Sequence, residues 1–111
     1  MSGVKDGAVI IYTTWPDGDA AARAAHALLE ERVIACANIF PAGRSVFRWE
    51  GRIGDGPETV ALFKTSPARA GEARDRLTAL HPYDEPCVLV LDVDAEKSAA
   101  GFLAWIGAET R

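Results

Sequence analysis

Ala8-Val9-Ile10-Ile11-Tyr12-Thr13-Thr14, followed at once by Trp15-Pro16-Asp17-Gly18-Asp19, sets the first two elements of the fold. The first block is short, apolar and β-branched, the composition of a strand. The second block stops it, and Asp17 is a good helix N-cap. A helix then runs to about Arg32. Ala21, Ala24, Ala25, Leu28 and Leu29 recur at helical spacing along its apolar face.

Downstream the same alternation continues. Cys36 to Glu50 reads as a long strand, interrupted by Pro41-Ala42-Gly43, where a proline implies a bulge or an edge. Gly51 to Pro57 has turn chemistry, centred on Gly54-Asp55-Gly56-Pro57. Glu58 to Thr65 is the return strand of a hairpin. Ser66-Pro67 resembles an N-cap with proline at the first helical position. The second helix buries Ala70, Ala73, Leu77 and Leu80 and ends before Pro82. Pro86 to Asp94 is a further strand. Ser98 to about Glu109 is a last helix, with Phe102, Leu103, Trp105 and Ile106 expected to face inward.

The order β-α-β-β-α-β-α predicts an α+β fold. Its first six elements form a ferredoxin-like sandwich with a long central hairpin, and the last helix is an addition. Residues 1–7 are expected to form a loose tail, and residues 8–111 a single domain. With 111 residues, 49% of them hydrophobic and 25% charged, the chain suits one globular core.

Composition excludes several function classes. The net charge of −4 is mild and the basic residues are scattered, so nucleic acid is not an expected partner. No apolar run spans a membrane and no secretory signal is visible, so the expected location is the cytoplasm. Cys36 and Cys87 are too few for a disulfide framework. No nucleophile elbow, Ser-His-Asp ordering or phosphate-cradling loop suggests an enzyme. Trp15-Pro16-Asp17 invites comparison with the acid loop of tyrosine phosphatases. Their nucleophilic Cys needs an Arg six residues on, where Cys36 and Cys87 are followed by Ala42 and Val93.

The strands also speak to assembly. Val9-Ile10-Ile11 and Cys87-Val88-Leu89-Val90-Leu91 are apolar on both faces, whereas two helices cover only one face of a sheet. Another copy of the chain is the simplest cover. The alternative is that the last helix folds across that face within one subunit.

Six segments in fixed order resemble the CutA family of divalent-cation-tolerance proteins. They are Tyr12-Thr13-Thr14-Trp15-Pro16-Asp17, Ile34-Ala35-Cys36-Ala37-Asn38-Ile39, Ser45-Val46-Phe47-Arg48-Trp49-Glu50-Gly51-Arg52 and His81-Pro82-Tyr83-Asp84-Glu85-Pro86, together with Glu58 ahead of Lys64-Thr65 and the closing Phe102-Leu103-Ala104-Trp105-Ile106. The resemblance implies a homotrimer and tolerance to copper and other divalent cations. The family trimer is in turn similar to PII signalling proteins, which implies the alternative of a small-metabolite sensor with ligand in intersubunit clefts. Copper-binding relatives can carry a Cys at the position of Thr13 and a second His at that of Leu80. Phe102 stands where Tyr is usual.

Two sets of residues carry the expected chemistry. His81, Asp84 and Glu85, with Cys36, are the candidate ligands for weakly bound Cu²⁺ or another divalent cation. The other reading of His81 is a cap on its helix end, and that of Cys36 a small core residue. Cys87 reads as core more firmly still. Trp49, Glu58, Lys64, Tyr83 and Trp105 match family positions near the intersubunit clefts, as a ligand-binding lining or as interface core. No organic cofactor is expected. Glu58 and Lys64 point to the same face of one strand, but lie roughly 20 Å apart at about 3.3 Å per residue. Each therefore needs a partner from elsewhere.

Overall fold

The computed structural model describes residues 6–111. Its elements are β1 (Val9–Trp15), α1 (Gly18–Glu30), β2 (Cys36–Trp49), β3 (Arg52–Thr65), α2 (Ala70–Leu80), β4 (Val88–Asp92) and α3 (Ala100–Glu109), with a single 3-10 turn at Pro67–Arg69 before α2. The sheet order is β2-β3-β1-β4, and every neighbouring pair is antiparallel. This is the ferredoxin-like order that the element pattern predicts. Residues 1–5 of the expected tail lie outside the described residues, and Gly7 sits against Pro67.

Helix α1 begins as its sequence implies. The Asp17 carboxylate accepts the Ala20 N–H at 2.8 Å, satisfying one of the donors that every helix start leaves open. Ala21, Ala24, Ala25 and Leu28 are buried against the sheet, but Leu29, expected on the same face, is exposed. Leu80 likewise turns outward at the end of α2. Ser66 is not a side-chain cap. Its hydroxyl accepts from Thr110 Oγ1 at 3.0 Å instead.

Strand β1 alternates without a fault. Val9, Ile11, Thr13 and Trp15 are buried beneath α1 and α2, with Ala61 and Phe63 of β3 beside them. Trp15 is fully buried. Its indole N–H donates to Thr13 Oγ1 at 2.6 Å, and that hydroxyl donates to the Ala61 carbonyl at 2.8 Å. Thr13, at the position where relatives can carry Cys, thus has its hydroxyl committed inside the core.

The hairpin turn lies earlier than its glycine density suggests. Trp49 pairs with Arg52, and Glu50 and Gly51 form a two-residue turn with φ of 50° and 78°. Two successive positive φ values match the twist of the flanking strands. Gly54-Asp55-Gly56-Pro57, expected as the turn, belongs to β3. At Gly54 the absent Cβ leaves room for the ring of Phe47, its cross-strand partner. Pro57 is tolerated because β1 pairs only as far as Thr59, so one edge of β3 is free beyond it. The proline break in β2 is a bulge between Phe40 and Gly43. Beyond the bulge the hairpin continues as a two-stranded arm, and the molecule measures 54 × 28 × 22 Å.

One sheet face remains open. Leu89 and Leu91 of β4 and Phe40 of β2 lie on it, and Leu89 is 57% exposed. Helix α3 packs at the end of the sheet where β1 begins, burying Leu103 and Ile106 against Ala8 and Ala35. It does not cover the open face. Phe102 and Trp105, expected inward, form an exposed pair with ring centroids 5.3 Å apart. A ten-residue helix can seat only one stripe on the surface beneath it, and here that stripe is Leu103 and Ile106.

Candidate functional site

Where the arm leaves the body, it forms one wall of an open groove of about 900 Å³. Residues 44–49 of β2, the segment Pro82 to Glu85, and Tyr12, Thr14, Glu58 and Cys87 line it. Helix α2 ends at Leu80, and Pro82 prevents its continuation. The chain then turns past the end of β1 into β4, which brings the acidic segment over the sheet.

His81 anchors this segment. It is 8% exposed and stacks on Trp15, with centroids 4.2 Å apart and planes at 27°. Its Nδ1 accepts the Tyr83 backbone N–H at 3.1 Å, and its Nε2 lies 2.7 Å from the Thr14 carbonyl. Because Nδ1 accepts, Nε2 carries the proton and donates to Thr14. Both ring nitrogens are therefore engaged, and neither is free to coordinate a metal in this geometry.

Tyr83 reaches the other way. Its hydroxyl donates to Glu58 Oε2 at 3.1 Å, closing a link from the segment to β3. Burial, then the hydrogen bond with Glu58 and the charge of that carboxylate, push the phenol pKa up. Cys87 Sγ also rises, first through burial and then through the Glu58 charge, with a hydrogen bond to Thr14 partly opposing both. Glu58 thus imposes a negative field on the groove floor. On the arm nearby, Arg44 pairs with Asp55, bidentate at 2.7 and 2.8 Å.

The structure divides the expected site residues. Asp84 and Glu85 lie exposed on the groove beside His81. Cys36 does not join them. It pairs with Lys64, which pairs with Ile10, whereas His81 meets β1 at Thr14. Those points are four residue steps apart, about 13 Å along the sheet. Among the described residues, no three His, Cys, Asp or Glu side chains stand close enough together to hold a metal ion. Of the expected ligand lining, Trp49, Glu58 and Tyr83 share the groove. Lys64 and Trp105 lie elsewhere. Lys64 Nζ sits 5.4 Å from the Phe102 ring centroid, and Trp105 packs on that same ring.

Cys87 is the groove residue that sequence reading placed in the core. It is half-buried on the groove floor. It lies between Asp84-Glu85-Pro86 and β4, which begins at Val88. Since the thiolate is the reactive form, Cys87 should alkylate slowly with iodoacetamide near neutral pH. Glu58→Gln should lower its pKa and speed the reaction. Peptide mass spectrometry across pH 7 to 10 would follow Cys87 separately from Cys36, and an unchanged Cys87 profile in the variant would contradict the assigned field.

Residues 9–109 match the family of the CutA1 divalent ion tolerance protein. The divalent-cation tolerance protein CutA of Pyrococcus horikoshii is 39% identical to this chain, over 93% of this chain and 98% of its own length. Among solved structures, CutA1 of Ehrlichia chaffeensis superposes with a TM-score of 0.89 at 32% identity, covering 97% of this chain and 99% of that one. The periplasmic divalent cation tolerance protein CutA of Archaeoglobus fulgidus superposes with a TM-score of 0.85 at 36% identity, covering 94% and 99%. The fold is the small α+β fold of these CutA structures. The chain belongs to the CutA family of divalent-cation tolerance proteins.

Proposed function

We propose that this chain acts in divalent-cation tolerance as a homotrimer that binds copper or a similar divalent ion, weakly, at the groove. The observation that carries the reading is the convergence of Glu58, Asp84, Glu85 and Cys87 on one groove beside His81. Carboxylates and a thiol suit such ions. These four side chains from one subunit are too dispersed for a closed site, so a neighbouring subunit would complete the shell. His81 then serves by positioning the acidic segment. The exposed face at Phe40, Leu89 and Leu91 supports the assembly, since a free apolar face of that kind marks an interface. Binding, and not catalysis, is the proposed activity. The two free thiols favour the cytoplasm as its location.

Native mass spectrometry of the reduced protein, before and after Cu²⁺ addition, tests this. A trimer with stoichiometric copper is expected, and Asp84→Asn with Glu85→Gln should remove the copper while keeping the trimer. Copper retained in full by that variant would move the site elsewhere, and a monomer would remove the assembly.

A second reading has its own support. Trp49 and Tyr83 give the groove two aromatic walls, and its size falls in the usual range for small ligands. In that case the assembly senses a metabolite, in the manner of PII proteins, and its effect on metal tolerance is indirect. A small-molecule adduct in the same spectra, lost in Trp49→Ala, would favour it over the metal.

A further inference from the structure

The groove has aromatic rings as well as carboxylates, and strand register puts the two on one side of the arm. The alternation of β3 places Gly54, Gly56 and Glu58 on the same side, and their cross-strand partners Phe47, Ser45 and Gly43 share it. Trp49, two residues on from Phe47, falls there too. Arg44 and Arg48 fall on the other side, where Arg44 is held by Asp55. The Phe47 ring lies over Gly54, and Phe47 and Trp49 are 51% and 55% exposed. At the body end of the groove Tyr83 adds a third ring. Its bond to Glu58 occupies only Oε2.

Among the described residues no Lys, Arg or His pairs with Glu58, Asp84 or Glu85. The groove therefore offers three carboxylates without an ion-pair partner and three rings whose faces attract cations. Burial and, after it, Glu58 raise the pKa of both Tyr83 and Cys87, the effect of a negative field beside a partly dry wall. These groups are spread out. Phe47 and Trp49 stand opposite Gly54 and Arg52, so they lie roughly 13 and 20 Å along the arm from Glu58. A metal ion reaches only ligands within about 2 to 2.6 Å. A cation whose charges are strung along an apolar chain can meet rings and carboxylates together.

We propose that the groove binds a linear aliphatic polyamine, its methylene chain lying along Phe47 and Trp49 and its ammonium groups meeting the rings and Glu58, Asp84 and Glu85. This deepens the metabolite reading of the groove and rests on it. A neutral or anionic ligand would cover the three carboxylates and leave them without partners, which is costly. An organic polycation supplies partners along its length and needs no closed shell of converging ligands.

Spermidine is the probe, titrated calorimetrically into the native assembly in metal-free buffer at low salt. Saturable binding is expected, weakening as salt is raised. Asp84→Asn with Glu85→Gln should weaken it about tenfold or more, and Trp49→Ala about threefold. Glu30→Gln with Asp75→Asn, the same change of charge on the exposed helix surface, should leave it unchanged. Hexaamminecobalt(III), a compact trivalent cation with no apolar chain, should bind far more weakly than spermidine. The proposal is overturned if spermidine fails to saturate at millimolar concentration, if the double carboxylate variant binds as tightly as the parent, or if hexaamminecobalt(III) matches spermidine. If spermidine does not bind but native mass spectra show an adduct that Trp49→Ala loses, the polyamine assignment falls and the metabolite reading stands. If spermidine does not bind and Trp49→Ala alters the oligomeric mass, the groove is filled by another copy of the chain and both fall.

Discussion

Replacing Trp15 with alanine is expected to lower stability by about 3–5 kcal/mol, the range for removing a large buried aromatic side chain. Trp15 is fully buried, stacks on His81 and packs at 6.1 Å from the Phe63 ring. Its loss would leave a void between the two helices and the sheet, and would remove the ring that holds His81 flat. For a domain of this size the fall in Tm would be roughly 13 to 21 °C. Trp15→Phe should cost much less. It keeps an aromatic ring in place and gives up the bond to Thr13, whose hydroxyl still donates to Ala61. Thermal unfolding of both variants at one fixed protein concentration checks this, because assembly makes Tm depend on concentration. A fall of only a few degrees for the alanine variant would mean that the Trp15 pocket collapses, and that the core is less rigid than its packing implies.

Charging the open face should act on assembly while sparing the fold. Leu89 and Leu91 are exposed in the single chain, so Leu89→Asp with Leu91→Asp removes little that the subunit itself uses. In an interface the same two carboxylates would be buried without partners, at a cost of several kcal/mol. Self-association is expected to weaken at least 100-fold, equivalent to about 3 kcal/mol. Analytical ultracentrifugation at micromolar concentration should find a monomer with unchanged circular dichroism. A variant that sediments as the parent does would show that this face is not the contact.

Much of the fold was legible because its signals are local. The run Ala8 to Thr14, the Asp17 cap and the proline bulge at Pro41 each act within a few residues, and each appears as expected. The hairpin turn was misplaced because glycine and proline have more than one use. At Gly54 the missing Cβ makes room for Phe47, whereas at Gly51 the residue supplies the positive φ of the turn. Helix α3 was misread for a different reason. It is apolar on every side, so periodicity could not say which stripe the body would take. The site was less accessible still. His81 is held by the Thr14 carbonyl, sixty-seven positions earlier, and that bond depends on sheet topology. The six-residue spacing of Glu58 and Lys64 did reveal that they could not meet, and the structure supplies a separate partner for each: Tyr83 for one, the Phe102 ring for the other.

The central position of β1 also bears on synthesis. This strand is made first, yet it lies between β3 and β4, which are made much later. Ile11 finds its neighbours at Phe63 and Val90. From Trp15 to Asp92 the ribosome must add 92 − 15 = 77 residues before the last pairing can form. At about 5–20 residues per second, that is a delay of about 4 to 15 seconds. Throughout it Val9-Ile10-Ile11 is an unpaired apolar strand, the kind of segment that chaperones bind and that aggregates when left exposed. The nascent chain is therefore at greatest risk at its N-terminal end, and the short strand β4 completes the protection of β1.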